Sequence, residues 1–108
     1  MATPLTRAWF LGINTPALEY APAVSADELT IYFTRLDQRF RPLGDPSAIG
    51  IWVATRGDRN AAFGTPRQIA AITGFVEAPT VTPDGCAIYF HQRIGGKFRL
   101  MRAEKVGC

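Results

Sequence analysis

Apolar residues in this chain fall in short runs, among them Ile31-Tyr32-Phe33, Ile51-Trp52-Val53-Ala54 and Ile88-Tyr89-Phe90, divided by stretches of Gly, Pro, Asp and charged residues. Runs of this length, rich in β-branched and aromatic side chains and bounded by turn formers, predict strands. Two of them recur with their surroundings. "VSADELTIYF" at 24–33 returns as "VTPDGCAIYF" at 81–90, an offset of 57 that sets Asp84 over Asp27 and Ala78-Pro79 over Ala21-Pro22. A repeat of this kind dictates architecture before local propensity does. Each copy reads as a short extended segment, a tight turn and a strand. "TPDG" is turn chemistry, since Pro presets φ, Asp bonds to its own backbone and Gly accepts a left-handed conformation. Taken alone, Ser25 and Glu28 would spell a helix capping box. The Pro and Gly of the second copy make the shared element a hairpin turn instead.

A polar loop and a further strand follow each Tyr-Phe strand: a long loop at 34–50 before "IWVAT", and a short one, "HQRIGGK", before "FRLMRA". Gly64-Thr65-Pro66 then turns the chain into a candidate fourth strand around Arg67 to Ala70. The opening "RAWFLGINTPALEYAP" resembles "PRQIAAITGFVEAP". Residues 8–18 are therefore expected to form the fourth strand of a unit whose first three strands are missing, and the chain closes on a third strand whose fourth is missing. One, four and three strands make eight, the content of two four-stranded units. The expectation is an all-β chain, one domain over 1–108, with a completing strand at 8–18, a first repeat at 19–70 and a second at 71–103.

Composition supports a folded domain and removes several functions. The 108 residues are 47% hydrophobic and 19% charged, enough for a modest core. Twelve Lys and Arg against nine Asp and Glu leave +3, scattered rather than massed, so no nucleic-acid partner is expected. No apolar run reaches the length of a membrane span, and the N-terminus carries no signal-peptide core. That places the chain in the cytoplasm as written, or in the periplasm or beyond if it is a fragment of an exported protein. Cys86 and Cys108 provide neither a disulfide framework nor metal spacing and read as one packed and one exposed thiol. With one His, no phosphate-cradling glycine loop and no zinc pattern, neither cofactor nor metal is expected. Cys86 and His91 would lie roughly 16 Å apart at ~3.3 Å per strand residue, too far for a nucleophile and its base.

The ordered set of Pro, a small hydroxyl residue, "PDG", an aliphatic-Tyr-Phe strand, "IWVATR" and "FGTPRQI" resembles the TolB-type, WD-like β-propeller repeat over roughly residues 8 to 103. The resemblance implies four-stranded blades set radially around a channel, first strands innermost, with a terminal strand completing the blade at the other end. The departures are "SADE" in place of the first "SPDG" and the long first loop. Two blades cannot enclose a channel, since repeat units need neighbours on both faces. Three chains forming one six-bladed ring, two sheets packed as a small sandwich, and a truncated piece of a longer propeller are the alternatives; the matched strand deficits favour the homo-trimer.

The same resemblance puts Glu19 and Glu77, Arg35 and Asp37, and His91, Gln92 and Arg93 on one rim. Glu19, Arg35, Asp37, Glu77, His91 and Arg93 are the candidate ligand-binding residues, suited to a protein, peptide or glycan through charge-assisted hydrogen bonds. Ordinary loop charges pairing with one another are the competing reading. Trp52, on a central strand, and Trp9 are read as packing residues rather than sugar-stacking platforms. The function expected is a non-catalytic binding or scaffolding module, with a propeller-rim hydrolase or lyase as the alternative.

Overall fold

The computed structural model of the chain describes residues 9–37 and 48–108. Residue 8 and most of the long loop expected at 34–50 lie outside them. Among the described residues seven strands form: β1 (Leu18–Val24), β2 (Thr30–Leu36), β3 (Ile49–Thr55), β4 (Arg67–Gln68), β5 (Val76–Val81), β6 (Ala87–Ile94) and β7 (Lys97–Glu104). All pairings are antiparallel, in one sheet ordered β1-β2-β3-β4 and a second ordered β5-β6-β7. The chain is all-β, as its short aromatic and β-branched runs require. Among the described residues, no helix is long and apolar enough to cross a membrane.

The repeat holds at the level of single hydrogen bonds. Ser25 and Thr82 each donate a hydroxyl to the aspartate two residues on, Asp27 or Asp84, at 2.6 Å. Each aspartate then accepts the N–H two residues beyond it, from Leu29 at 3.0 Å or Cys86 at 2.9 Å. The turns close through Glu28 N–H to Ser25 O and Gly85 N–H to Thr82 O. Ser25 and Glu28 thus belong to a hairpin turn, and Glu28, with φ of 63°, stands where Gly85 stands with 74°. These bonds hold the carboxyl groups of Asp27 and Asp84 below the ordinary aspartate value, the hydroxyl donor first and the backbone N–H second.

The two Ala-Pro pairs have a shared consequence. Pro lacks the N–H a ladder needs, and the preceding alanine takes a left-handed φ, 53° at Ala21 and 58° at Ala78. Register breaks at both places, between Tyr20 and Ala23 and between Glu77 and Thr80. A β-bulge re-aims the backbone at such a point, and the Ala78 N–H turns out of its own sheet to the buried hydroxyl of Thr34 on β2, at 2.9 Å.

The two sheets stack face to face, β5 lying across β1, β2 and β3. Ile51 from the first sheet meets Val76, Ile88 and Phe90 from the second, with Ile72 from the connection between them. The other face of the first sheet buries Ile31, Phe33 and Ala54 under Ile13 and Phe63, flanked by Trp9, Phe10 and Trp52. Each large apolar side chain so buried contributes about 1.5–3 kcal/mol.

Two expectations change. No strand forms over the described part of 8–18 before Leu18. Residues 9–13 make a tight turn in which the Ile13 and Asn14 N–H groups donate to Phe10 O at 3.0 and 2.9 Å. The third strand that this segment is expected to complete is β7, which stays at the edge of its sheet among the described residues, while residues 9–13 turn over the first sheet instead. The turn still matches the second copy in kind: Ile72 N–H donates to Ile69 O at 3.1 Å, and Ile72 seals the second sheet as Ile13 seals the first. The cysteines are also not free. Lys105 N–H bonds to Cys86 O at 2.7 Å and carries the tail back along the turn, so Cys108 reaches Cys86 and the two form a disulfide with Cα atoms 5.6 Å apart.

The equivalence of Glu28 and Gly85 sets opposite expectations for one change at each. Gly85→Ala should cost about 1 kcal/mol, because a Cβ is strained at that φ although space is free around it. Glu28→Gly should gain up to ~1 kcal/mol, its exposed pair with Arg59 being worth little. Urea unfolding of the two variants measures both; equal signs would contradict the assignment.

Candidate functional site

Glu19 and Arg35 stand opposite each other across β1 and β2 and form an ion pair, Arg35 Nε to Glu19 Oε2 at 2.9 Å, with side chains only 9% and 12% exposed. The other donors and acceptors of the pair are also engaged. Arg35 Nη2 donates to Ile13 O at 2.8 Å, and its guanidinium lies 4.3 Å from the Trp52 ring centroid. Thr15 gives Glu19 both its N–H, at 2.9 Å, and its hydroxyl, at 2.8 Å. The pair is a clasp that holds the N-terminal turn onto the first sheet, with little left to offer a ligand. Trp52 is half-buried beneath it, on the packing side as expected, and Trp9 lies under the Arg56 guanidinium at 4.7 Å.

Glu77 is engaged as well. The Tyr20 hydroxyl donates to Glu77 Oε2 at 2.6 Å, joining the first strands of the two sheets at positions 57 residues apart, the offset of the repeat itself. Burial, then the hydrogen bond to Glu77 and its negative charge, raise the Tyr20 phenol well above its ordinary 10.0. Asp37 follows the end of β2 with its N–H on Ala48 O at 2.8 Å.

His91 and Arg93 behave differently. Both are exposed on the outer face of the second sheet. His91 pairs in register with Glu77 on one side and Leu100 on the other, and its ring meets Phe98 edge to face at 6.4 Å. The Arg93 guanidinium lies 4.6 Å from the centroid of Phe75, which in turn meets Phe98 edge to face at 6.1 Å. Leu100 and Tyr89 extend the same face. The structure therefore separates five of the six candidates into an internal clasp, an internal link between sheets, and a cluster in which His91 and Arg93 join Phe75 and Phe98, with Asp37 apart from these at the end of β2.

Phe75, Phe98 and Leu100 escaped the reading of the sequence. The signal that finds the last two is the repeat continued through "FRLMRA", which puts Phe98 and Leu100 at the positions Ile49 and Ile51 hold in the first sheet. A separate groove of about 200 Å³ opens between the sheets near the hairpin turns, its lining including Tyr32, Ile69, Ile72, Ile88, Arg67 and Lys105; none of the six candidates borders it. Compared with known proteins, the chain matches no family model and no curated protein.

Removing one member of the clasp leaves a nearly buried charge without its counterpart. Glu19→Ala should therefore lower stability by about 3 kcal/mol and loosen the N-terminal turn, read as lost amide-exchange protection at Ile13 and Asn14. A loss within ~0.5 kcal/mol would place the pair among ordinary surface charges. Tyr20 sets an alkaline limit. Its raised folded value means its contribution is complete below 10.0 and is lost as pH climbs from there through the folded value. Stability should thus fall above about pH 10, and less steeply in Tyr20→Phe, as followed by circular dichroism.

Proposed function

We propose that the chain is a non-catalytic binding module of the propeller type, which recognises an acidic peptide or acidic glycan at the rim end of its second sheet. One observation carries the reading: His91 and Arg93 are exposed and backed by the rings of Phe75 and Phe98, whereas Glu19 and Arg35 are consumed internally and Glu77 is tied to Tyr20. A guanidinium supported by an aromatic face is held ready for paired hydrogen bonds to a carboxylate, and the exposed rings add apolar area beside it. Support for the propeller comes from the stacking of two sheets with the same turn, the same bulge and the same connecting segment, together with the resemblance to TolB-type repeats. A trimer of chains would complete six blades. The Cys86–Cys108 disulfide favours an oxidising compartment, the periplasm or cell exterior, over a reducing cytoplasm.

An array of acidic and neutral peptides and glycans, probed with the labelled chain, tests the reading. Acidic ligands should be selected, and Arg93→Ala should weaken them about tenfold, the loss of one charge-assisted hydrogen bond, with thermal unfolding unchanged. Undiminished binding by both Arg93→Ala and His91→Ala would remove the site.

A further inference from the structure

The outer face of the second sheet has a template inside the same molecule. Cross-strand rows Tyr32–Val53, Thr34–Ile51 and Leu36–Ile49 of β2 and β3 correspond to rows Tyr89–Arg102, His91–Leu100 and Arg93–Phe98 of β6 and β7. In the first sheet these positions are closed by β5: Thr34 and Ile51 are 0% exposed and Ile49 is 2% exposed. In the second they are open: Leu100 is 68% exposed, Phe98 51% and Tyr89 39%. Contiguous apolar surface of this kind, rimmed by charge, marks a protein contact.

We infer that this face docks a second copy of the chain, head to tail, which sets the first strand and N-terminal turn of the second copy where β5 and Ile72 lie over the first sheet. The inference rests on the reading of the chain as a propeller-type module and names the partner that its open end takes. The argument is that the second copy carries counterparts for the turn, the bulge and the tyrosine–carboxylate link of the internal contact, although Glu19, held by Arg35, stands at the position of Val76. Ile13 and its turn correspond to Ile72 and its turn. The bulge at Ala21, with φ of 53°, presents its backbone as the bulge at Ala78 does with 58°. The Ala78 N–H meets Thr34 within the chain, and His91, at the Thr34 position, would face Ala21 of the second copy. Tyr20 meets Glu77 within the chain; across the contact Glu77, at the Tyr20 position, would face Tyr20 of the second copy. Tyrosine and carboxylate would then alternate along the first strands. Because the two surfaces differ, the contact is heterologous, and repetition continues until the rotation closes a ring. In this contact His91 and Phe98 take the buried positions of Thr34 and Ile49, and Arg93, at the half-buried Leu36 position, is the part of the proposed ligand site left open at the edge of the seam.

The test is solution mass by light scattering on the oxidised wild-type chain, Leu100→Glu and Val106→Glu. Leu100 and Val106 are both exposed, Val106 at 98%, so neither change disturbs the monomer core, which far-ultraviolet circular dichroism checks. The wild type and Val106→Glu should run as a multiple of 11.8 kDa, near 35 kDa for three chains, and Leu100→Glu should fall to 11.8 kDa. A wild type that stays at 11.8 kDa overturns the inference, and acidic-ligand binding by that monomer would leave the binding-module reading standing. An assembly that survives Leu100→Glu, or one that Val106→Glu also dissolves, overturns the assignment of this face.

Discussion

The stacking of β5 across β1, β2 and β3 is the constraint on which the rest of the fold depends. A sheet with two apolar faces exposes too much surface to persist alone, and neither sheet here can cover both of its own faces. Sheet-on-sheet contact closes one face of the first sheet around Ile51, Val76 and Phe90. The Ala-Pro bulge makes that approach possible, since it frees the Ala78 N–H to satisfy the Thr34 hydroxyl inside an otherwise apolar seam. A fully buried hydroxyl without that donor would carry a desolvation cost of roughly 1–3 kcal/mol.

The remaining face of the first sheet is closed by a short turn, and the polar chemistry of the candidate rim is spent holding it there. Glu19 is fully engaged by Arg35 and Thr15, and Arg35 ties the assembly to Ile13 O and to Trp52. Charge at a rim has thus been divided between two tasks. The copy that meets the N-terminal turn works as a structural clasp, and the copy with nothing stacked on it keeps His91 and Arg93 exposed. Position in the stack, rather than residue type, separates the two.

Much of this was legible in the residues. The offset of 57, the two Ala-Pro pairs and the Asp27 and Asp84 turns implied two copies of one all-β unit, and the copies agree down to the pairing of a hydroxyl with an aspartate two residues on. Ser25 and Glu28 show why the repeat outweighs local propensity: their capping-box pattern reads as a hairpin turn once the Pro and Gly of the second copy are set beside it, and Asp27 holds that turn by bonds to Ser25 and Leu29. The N-terminal strand was misread for the opposite reason. Its similarity to residues 66–79 is real in the turn geometry of Ile13 and Ile72, but that similarity lies in a turn, and residues 9–13 close over the first sheet while the edge of β7 stays open.

The candidate site was less legible. Glu19, Arg35, Glu77, His91 and Arg93 could all be named from loop position, yet their sequence contexts do not distinguish an engaged charge from an exposed one. By itself the sequence determined the repeat, the turns and the all-β class, because these follow from local backbone chemistry at Pro, Gly, Asp and β-branched positions. Only the tertiary structure decided which charges are consumed, that Cys86 and Cys108 are joined, and that Phe75, Phe98 and Leu100 gather beside His91 and Arg93. Those outcomes depend on which faces meet, and a face is buried or open according to what is stacked upon it.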